Sequence, residues 1–238
     1  MLEVTNAEIG YGPVTVVEDL SISVGEGEAV FLIGPNGAGK STTLRGVLGL
    51  NRLTRGTVSW RERDITRLPT NKRAALGIAL VPEGRHVFPQ LTVVENLEVA
   101  ARAVGAKDVE ARVEEVCAVF PRLAERKGQT AGLLSGGEQQ MLAIGRALAQ
   151  RPRLLVIDEL SLGLAPVVYE QVGAVVRDLA RDGLAVLLVE QNAQLAMSIC
   201  SRGYLMSHGE VVLAGMVADL ERNNQMRELY LGGIEKAV

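Results

Sequence analysis

Gly34-Pro35-Asn36-Gly37-Ala38-Gly39-Lys40-Ser41 fits the spacing G-x-x-x-x-G-K-[ST], whose backbone N–H groups wrap the phosphates of a nucleotide. Glycines let the backbone approach a phosphate with no side chain in the way. A helix start turns unpaired N–H groups and the positive end of its dipole toward the anion. Lys40 brings a point charge to the β/γ-phosphates, Ser41 offers a hydroxyl to Mg²⁺, and Thr42 follows at the helix start with the nucleotide-binding set. The expected ligand is ATP or GTP. A second group, Asp158-Glu159, closes the apolar run Leu154–Ile157. A nucleotide site needs one carboxylate to hold hydrated Mg²⁺ and one to orient or deprotonate the attacking water. Asp158 suits the first role and Glu159 the second. In Leu134-Ser135-Gly136-Gly137-Glu138, Ser135-x-x-Glu138 is a capping box that opens an amphipathic helix. A helix start flanked by two glycines is also a phosphate site, so the two roles are compatible.

The elements that must position these groups follow from the pattern of apolar residues. Ala29–Ile33 enters the loop as a buried strand should, and Ser41–Leu44 leaves it in a pattern that continues as a helix. Leu2 to Ile33 is expected to form strands separated by turns at Gly10, Gly12-Pro13 and Gly25-Glu26-Gly27, giving an antiparallel sheet ahead of the loop. Leu154–Ile157 and Ala185–Val189 have the continuous apolar character of strands buried on both faces of a parallel sheet. Open α/β sheets bind ligands beyond the carboxyl ends of such strands. Between about Thr92 and Gln150 the spacing becomes helical, as in Val109, Val113, Val116, Val119 and Phe120. Glu110, Arg112, Glu114 and Glu115 are assigned to a solvated helix face. A helix, a hairpin around His208-Gly209 and a terminal helix ending near Leu231-Gly232-Gly233 are expected after Val189. The whole, residues 1–238, is expected to be one domain with a helical subdomain, about 92–150, inserted in an α/β nucleotide-binding core.

Lys plus Arg number 25 against 28 Asp plus Glu, so there is no positive excess to hold a nucleic acid by counterion release. The two cysteines, Cys117 and Cys200, have no metal or disulfide spacing and suit small buried hydrophobes in a reducing compartment. No basic leader and no run long enough to cross a bilayer is present. The expectation is a soluble, cytoplasmic chain that docks on a membrane complex.

Phosphate loop, Leu-Ser-Gly-Gly-Glu string and hydrophobic-Asp-Glu, in this order, resemble the nucleotide-binding subunit of an ATP-binding cassette (ABC) transporter along essentially the whole chain. The resemblance implies an α/β fold: a P-loop NTPase core with an N-terminal antiparallel β subdomain and an inserted α-helical subdomain. It implies an ATPase using Mg²⁺, in a head-to-tail dimer where Leu134–Glu138, above all Ser135 and Gly137, act on the partner's nucleotide. Two transmembrane permease subunits and an external solute-binding protein are implied as well. Narrower strings are similar to the ATP-binding subunits of branched-chain amino acid importers: Val81-Pro82-Glu83-Gly84-Arg85, Val87–Val93, Glu95-Asn96-Leu97, Ser161–Pro166, Leu188–Asn192 and Tyr230–Gly233. Cassettes for urea or other amides share part of this pattern. A soluble cassette ATPase acting on ribosomes or DNA, and a non-hydrolysing regulatory module, are the alternatives. Two linked cassettes or a coiled-coil insertion would mark the first, and the intact Asp158-Glu159 pair argues against the second.

Departures from the wider family carry their own expectations. Glu83 stands where most cassettes have a Gln near Mg²⁺; it is either a metal-site residue or a surface carboxylate. Gln191 replaces the switch histidine; an amide donates a hydrogen bond to the γ-phosphate but carries no charge. Slower hydrolysis at this site, and a related partner cassette that keeps the histidine in preference to a second copy, are expected. Leu160 replaces a proline, which is expected to loosen the loop because leucine does not fix φ. Ala165 replaces the usual Asp. Tyr11 is positioned either to stack on adenine or to pack at a strand end, and Trp60 is assigned to strand packing. Arg85 and Phe88 are expected on the surface that couples to the membrane subunit.

Overall fold

The computed structural model describes residues 1–223 and 226. The expected terminal helix and the Tyr230–Gly233 string lie outside the described residues. Leu2–Tyr11 (β1) and Val14–Val24 (β2) form an antiparallel pair. Gly10 lies inside β1 rather than in a turn, because β2 passes so close that a Cβ there would stand 2.1 Å from the Val14 carbonyl oxygen. Ala29–Ile33 (β3) leads into the phosphate loop and Lys40–Leu48 (α1) leaves it. Leu53–Trp60 (β4) and Arg63–Asp64 (β5) complete an antiparallel sheet of order β2-β1-β4-β5.

Thr70–Ala75 (α2) and Ile78–Val81 (β6) precede the helical lobe. The lobe comprises Val93–Ala103 (α3), Val109–Val119 (α4), Pro121–Ala124 (α5) and Gly136–Leu148 (α6). Capping boxes, Thr92 with Glu95 and Ser135 with Glu138, start α3 and α6 by satisfying N–H groups that the helix itself cannot. Leu154–Asp158 (β7), Pro166–Arg181 (α7), Ala185–Glu190 (β8), Ala193–Ile199 (α8), Arg202–Ser207 (β9), Glu210–Met216 (β10) and Val217–Leu220 (α9) follow.

The second sheet has the order β10-β9-β3-β8-β7-β6 and is parallel except for β10. Its central strands β3, β7 and β8 are apolar up to the terminal Asp158 and Glu190 because both of their faces are covered. Phe31, Ile33, Leu155, Ile157, Val186 and Leu188 pack toward the helical lobe. Their neighbours Val30, Leu32, Leu154, Val156, Leu187 and Val189 pack toward α1 and the antiparallel sheet. A one-residue slip would exchange the two sets, so register is fixed by two cores at once. That register matters for function, since it aligns Ile33 with Glu190 and Asp158 with Val189. The ends of β3, β8 and β7 therefore meet at one edge.

The charges on α4 do more than face solvent. Arg112 pairs with Asp108 and donates to the Ala149 carbonyl, while Arg151 pairs with Glu115 at 2.6 Å and Asp108 at 2.6 Å. These contacts fasten α4 to the end of α6 and the start of β7. Trp60 is buried in its strand, its indole N–H donating to the Leu76 carbonyl. Cys117 and Cys200 are buried free thiols. Among the described residues no helix is long and apolar enough to cross a membrane.

Candidate nucleotide site

Gly34 leaves β3 so close to β9 that a Cβ would lie 2.3 Å from the Met206 carbonyl oxygen. Gly37 and Gly39 follow with φ of 81° and 103°, a region that suits glycine. The hairpin of β9 and β10 backs the loop, with the Gly209 N–H donating to the Ala38 carbonyl and the Glu18 N–H to Gly209. Gly39 ends the turn and α1 begins at once. The first turn of α1 holds Lys40-Ser41-Thr42-Thr43 and no acidic residue, whereas α3 and α6 each carry a glutamate there. The N–H groups at the start of α1 thus remain available to an outside anion.

The far end of the same helix is held by Arg73, a residue that no motif pointed to. Its guanidinium is buried and donates to the carbonyls of Gly46 at 2.8 Å, Val47 at 2.6 Å, Leu68 and Thr66. A cation at a helix C-terminus satisfies orphan carbonyls and complements the dipole.

Lys40 is 5 % exposed, and its ammonium donates to the carbonyls of Gly34 at 2.8 Å and Pro35 at 3.1 Å. Burial lowers its pKa, while the charges of Glu159, Asp158 and Glu190 oppose that shift. These carboxylates therefore surround one lysine. Asp158 has its carboxyl pushed up to about 6, first by burial, then by the charges of Glu159 and Glu83. Its Oδ1 is buried with no hydrogen-bond partner. A buried oxygen without a donor, among other negative charges, fits a cation, and Mg²⁺ binds through one or two carboxylates together with phosphate oxygens and water. Among the described residues no three acidic, histidine or cysteine side chains form a metal cage.

A raised carboxyl pKa opposes folding: the cost is absent below the ordinary value of 3.8, grows above it and is complete above about 6. Asp158→Asn is therefore expected to raise the melting temperature of the nucleotide-free chain by a few degrees at pH 8. The gain should fall to about half by pH 5. Circular dichroism melts check this, and an equal gain at both pH values would contradict it.

Glu159 follows Asp158 at φ 50°, a conformation that costs a non-glycine residue roughly 1–3 kcal/mol. Its N–H donates to the Val189 carbonyl at 2.9 Å. Leu160 is fully buried, so its side chain packs into the core at the position where proline would have fixed φ. Next, Ser161 donates through its N–H (2.8 Å) and its hydroxyl (2.9 Å) to the two oxygens of Glu190. In sequence Glu190 stands at the end of an apolar run and within the Leu188–Asn192 string, with no role of its own assigned. Gln191 follows it, exposed, with its N–H on Glu190 Oε2 at 3.1 Å.

Tyr11 ends β1 beside α1 with 44 % of its surface exposed, and Arg45 donates to its hydroxyl at 3.0 Å. Hydrogen bonding, first with Thr42, lowers its pKa. The ring is thus exposed at the loop's flank, with a polar tether at its tip.

Leu134–Glu138 stands apart from these groups. Among the described residues no hydrogen bond or ion pair joins it to the phosphate loop. Its capping box is closed by Ser135 Oγ and Glu138, and Glu138 also pairs with Arg126 at 2.6 Å. Both glycines permit close packing: a Cβ on Gly136 would press on Arg85, and one on Gly137 would lie 2.4 Å from Val168. Half-buried Arg85 donates to the Gly163 carbonyl at 3.1 Å and so links this helix start to the loop after Glu159. Phe88 is 40 % exposed and stacked by Arg146, its guanidinium 4.2 Å from the ring centre. Buried Asn96 fixes the Phe88 backbone by accepting from its N–H and donating to its carbonyl.

The ABC transporter family model matches residues 17–161. The chain is 43 % identical to the high-affinity branched-chain amino acid transport ATP-binding protein BraG of Pseudomonas aeruginosa, over 98 % of this chain and all of that one. It is 36 % identical to the lipopolysaccharide export system ATP-binding protein LptB of Acidithiobacillus ferridurans, over 91 % of this chain and 90 % of that one. A solved ATP-binding subunit of an ABC transporter superposes with a TM-score of 0.83 at 31 % identity, covering 98 % of this chain and 96 % of the other. With the family model matched over more than half its length and a relative aligned from end to end, the chain belongs to the ABC transporter family, among its ATP-hydrolysing subunits.

Proposed function

We propose that the chain is the ATPase of an importer for branched-chain amino acids, with Glu159 as general base and Asp158 and Ser41 as the protein ligands of Mg²⁺. The orphaned Asp158 Oδ1 beside Lys40 is the observation that carries the chemistry. Mg²⁺, when bound, supplies charge neutralisation at the phosphate oxygens. Glu83 lies near enough to Asp158 to raise its pKa and is a further residue facing that cation.

The N–H groups of the loop from Asn36 to Thr42 and the Lys40 ammonium hold the phosphates in place. Glu159 takes a proton from water as the water oxygen bonds to the γ-phosphorus and the bond to the β-bridging oxygen breaks, leaving ADP and phosphate. The Gln191 amide donates to the γ-phosphate, and Tyr11 packs on adenine. Leu134–Glu138, apart from its own loop, serves a nucleotide on another cassette. In the cell that partner is a related cassette with the histidine that Gln191 replaces. The pair works at the cytoplasmic face of the membrane with two permease subunits, downstream of an external solute-binding protein, and Phe88 offers its exposed ring to a permease.

The solute assignment rests on end-to-end similarity to BraG, while similarity to LptB favours lipopolysaccharide export as the second reading. Removing the chain from its host is expected to abolish high-affinity uptake of radiolabelled leucine, isoleucine and valine. Wild type, but not Lys40→Ala, should restore it. Intact uptake of all three, together with failed lipopolysaccharide export or urea uptake, would overturn the assignment.

A further inference from the structure

Glu190 is 1 % exposed at the end of β8, yet both of its oxygens are occupied by donors. Oε1 accepts from the Ser161 N–H; Oε2 accepts from the Ser161 hydroxyl and the Gln191 N–H. Three donors take up most of its acceptor sites and its burial keeps it from solvent, so the group is placed to hold the backbone and not to take a proton from water. Its position has a different consequence. Glu159 is tied behind by its N–H to the Val189 carbonyl and ahead by buried Leu160 and the Ser161–Glu190 bonds. Between these anchors it has φ 50°. A non-glycine residue keeps such a backbone only where its surroundings over-determine it. The same carboxylate also holds the first N–H of the switch residue.

We propose that Glu190 is a positioning residue for ATP hydrolysis: one buried carboxylate holds Ser161 and Gln191, and thereby aims Glu159 and Gln191 together at the γ-phosphate. This rests on Glu159 being the general base. Glu190 lies next to Ile33 in register, so the loop after Glu159, the switch segment and the strand entering the phosphate loop form one hydrogen-bonded unit.

Glu190→Gln is the sharpest test. An amide of the same shape keeps one acceptor but must turn its NH₂ toward an N–H of Ser161 or Gln191, which breaks one side of the link. In the full-length chain, kcat for ATP should fall at least about tenfold while ATP affinity, read with a fluorescent ATP analogue, stays within about twofold. Amide hydrogen exchange at residues 159–161 should accelerate at least about tenfold, with β3 and β7 unchanged. Ser161→Ala should give the same signature, and the double variant little more. Unchanged exchange at 159–161, or kcat within twofold of wild type, would overturn the proposal. So would a loss of ATP affinity parallel to the loss of rate, the mark of a general structural defect. Glu159→Gln measured alongside separates the two ideas: if it still turned over, the base assignment would fail, while the exchange data would still decide whether Glu190 holds the loop.

Discussion

Glu159→Gln should lower ATP turnover by roughly 10²–10⁴-fold, the range for a positioned general base, while leaving nucleotide affinity close to that of wild type. The side chain keeps its length and shape but no longer takes a proton. The loop that carries it is built from backbone bonds and from Leu160 and Ser161, none of which the substitution touches. The effect should therefore appear in kcat, with ATP affinity retained. Steady-state hydrolysis with a direct binding titration checks this. Turnover within tenfold of wild type would remove Glu159 from its assigned role.

Lys40→Ala should act at the opposite step. A buried ammonium hydrogen-bonded to an anion costs about 2–5 kcal/mol to remove, which corresponds to an ATP affinity loss of roughly 30-fold to several thousand-fold. Without nucleotide, Lys40 rests on the carbonyls of Gly34 and Pro35, so its loss also leaves two loop acceptors without their donor. Lys40→Met keeps most of the buried stem and controls for packing. If both variants lose affinity and both melt as wild type does, the charge is responsible. ATP bound by Lys40→Ala at near wild-type strength would contradict the site.

What could be seen in advance was what is contiguous in the chain. The phosphate loop, the capping box at Ser135 and the Asp158-Glu159 pair each concentrate their chemistry within a few residues, so spacing alone exposes them. The strands were legible because a sheet buried on both faces leaves unbroken apolar runs such as Ala185–Val189. Long-range partners were not. Glu190 and Ser161 lie 29 residues apart and meet only through the register of β7 on β8. Arg73 resembles any surface arginine until α1 is seen to end against it. Arg85, expected on the surface that couples to the membrane subunit, also donates across to Gly163, a contact that its neighbours in sequence do not encode. The same holds for Leu160: a missing proline is visible in sequence, but the burial of the side chain that stands there is not.

The central claim is that ATP is completed by two cassettes, the phosphate loop of one facing the Ser135–Glu138 helix start of another. Both halves are present on this chain, so two copies are expected to build the sites even where a related cassette is the partner in the cell. Light scattering of full-length Glu159→Gln, with ATP binding confirmed, tests it most directly. With Mg²⁺ and ATP the solution mass should double from that of the 25.4 kDa chain, and should return to it when nucleotide is removed or when Ser135 is replaced by arginine. A chain that binds ATP yet keeps the mass of a single copy would contradict the claim that two copies of this chain complete the sites, and would point to a required partner cassette or membrane scaffold.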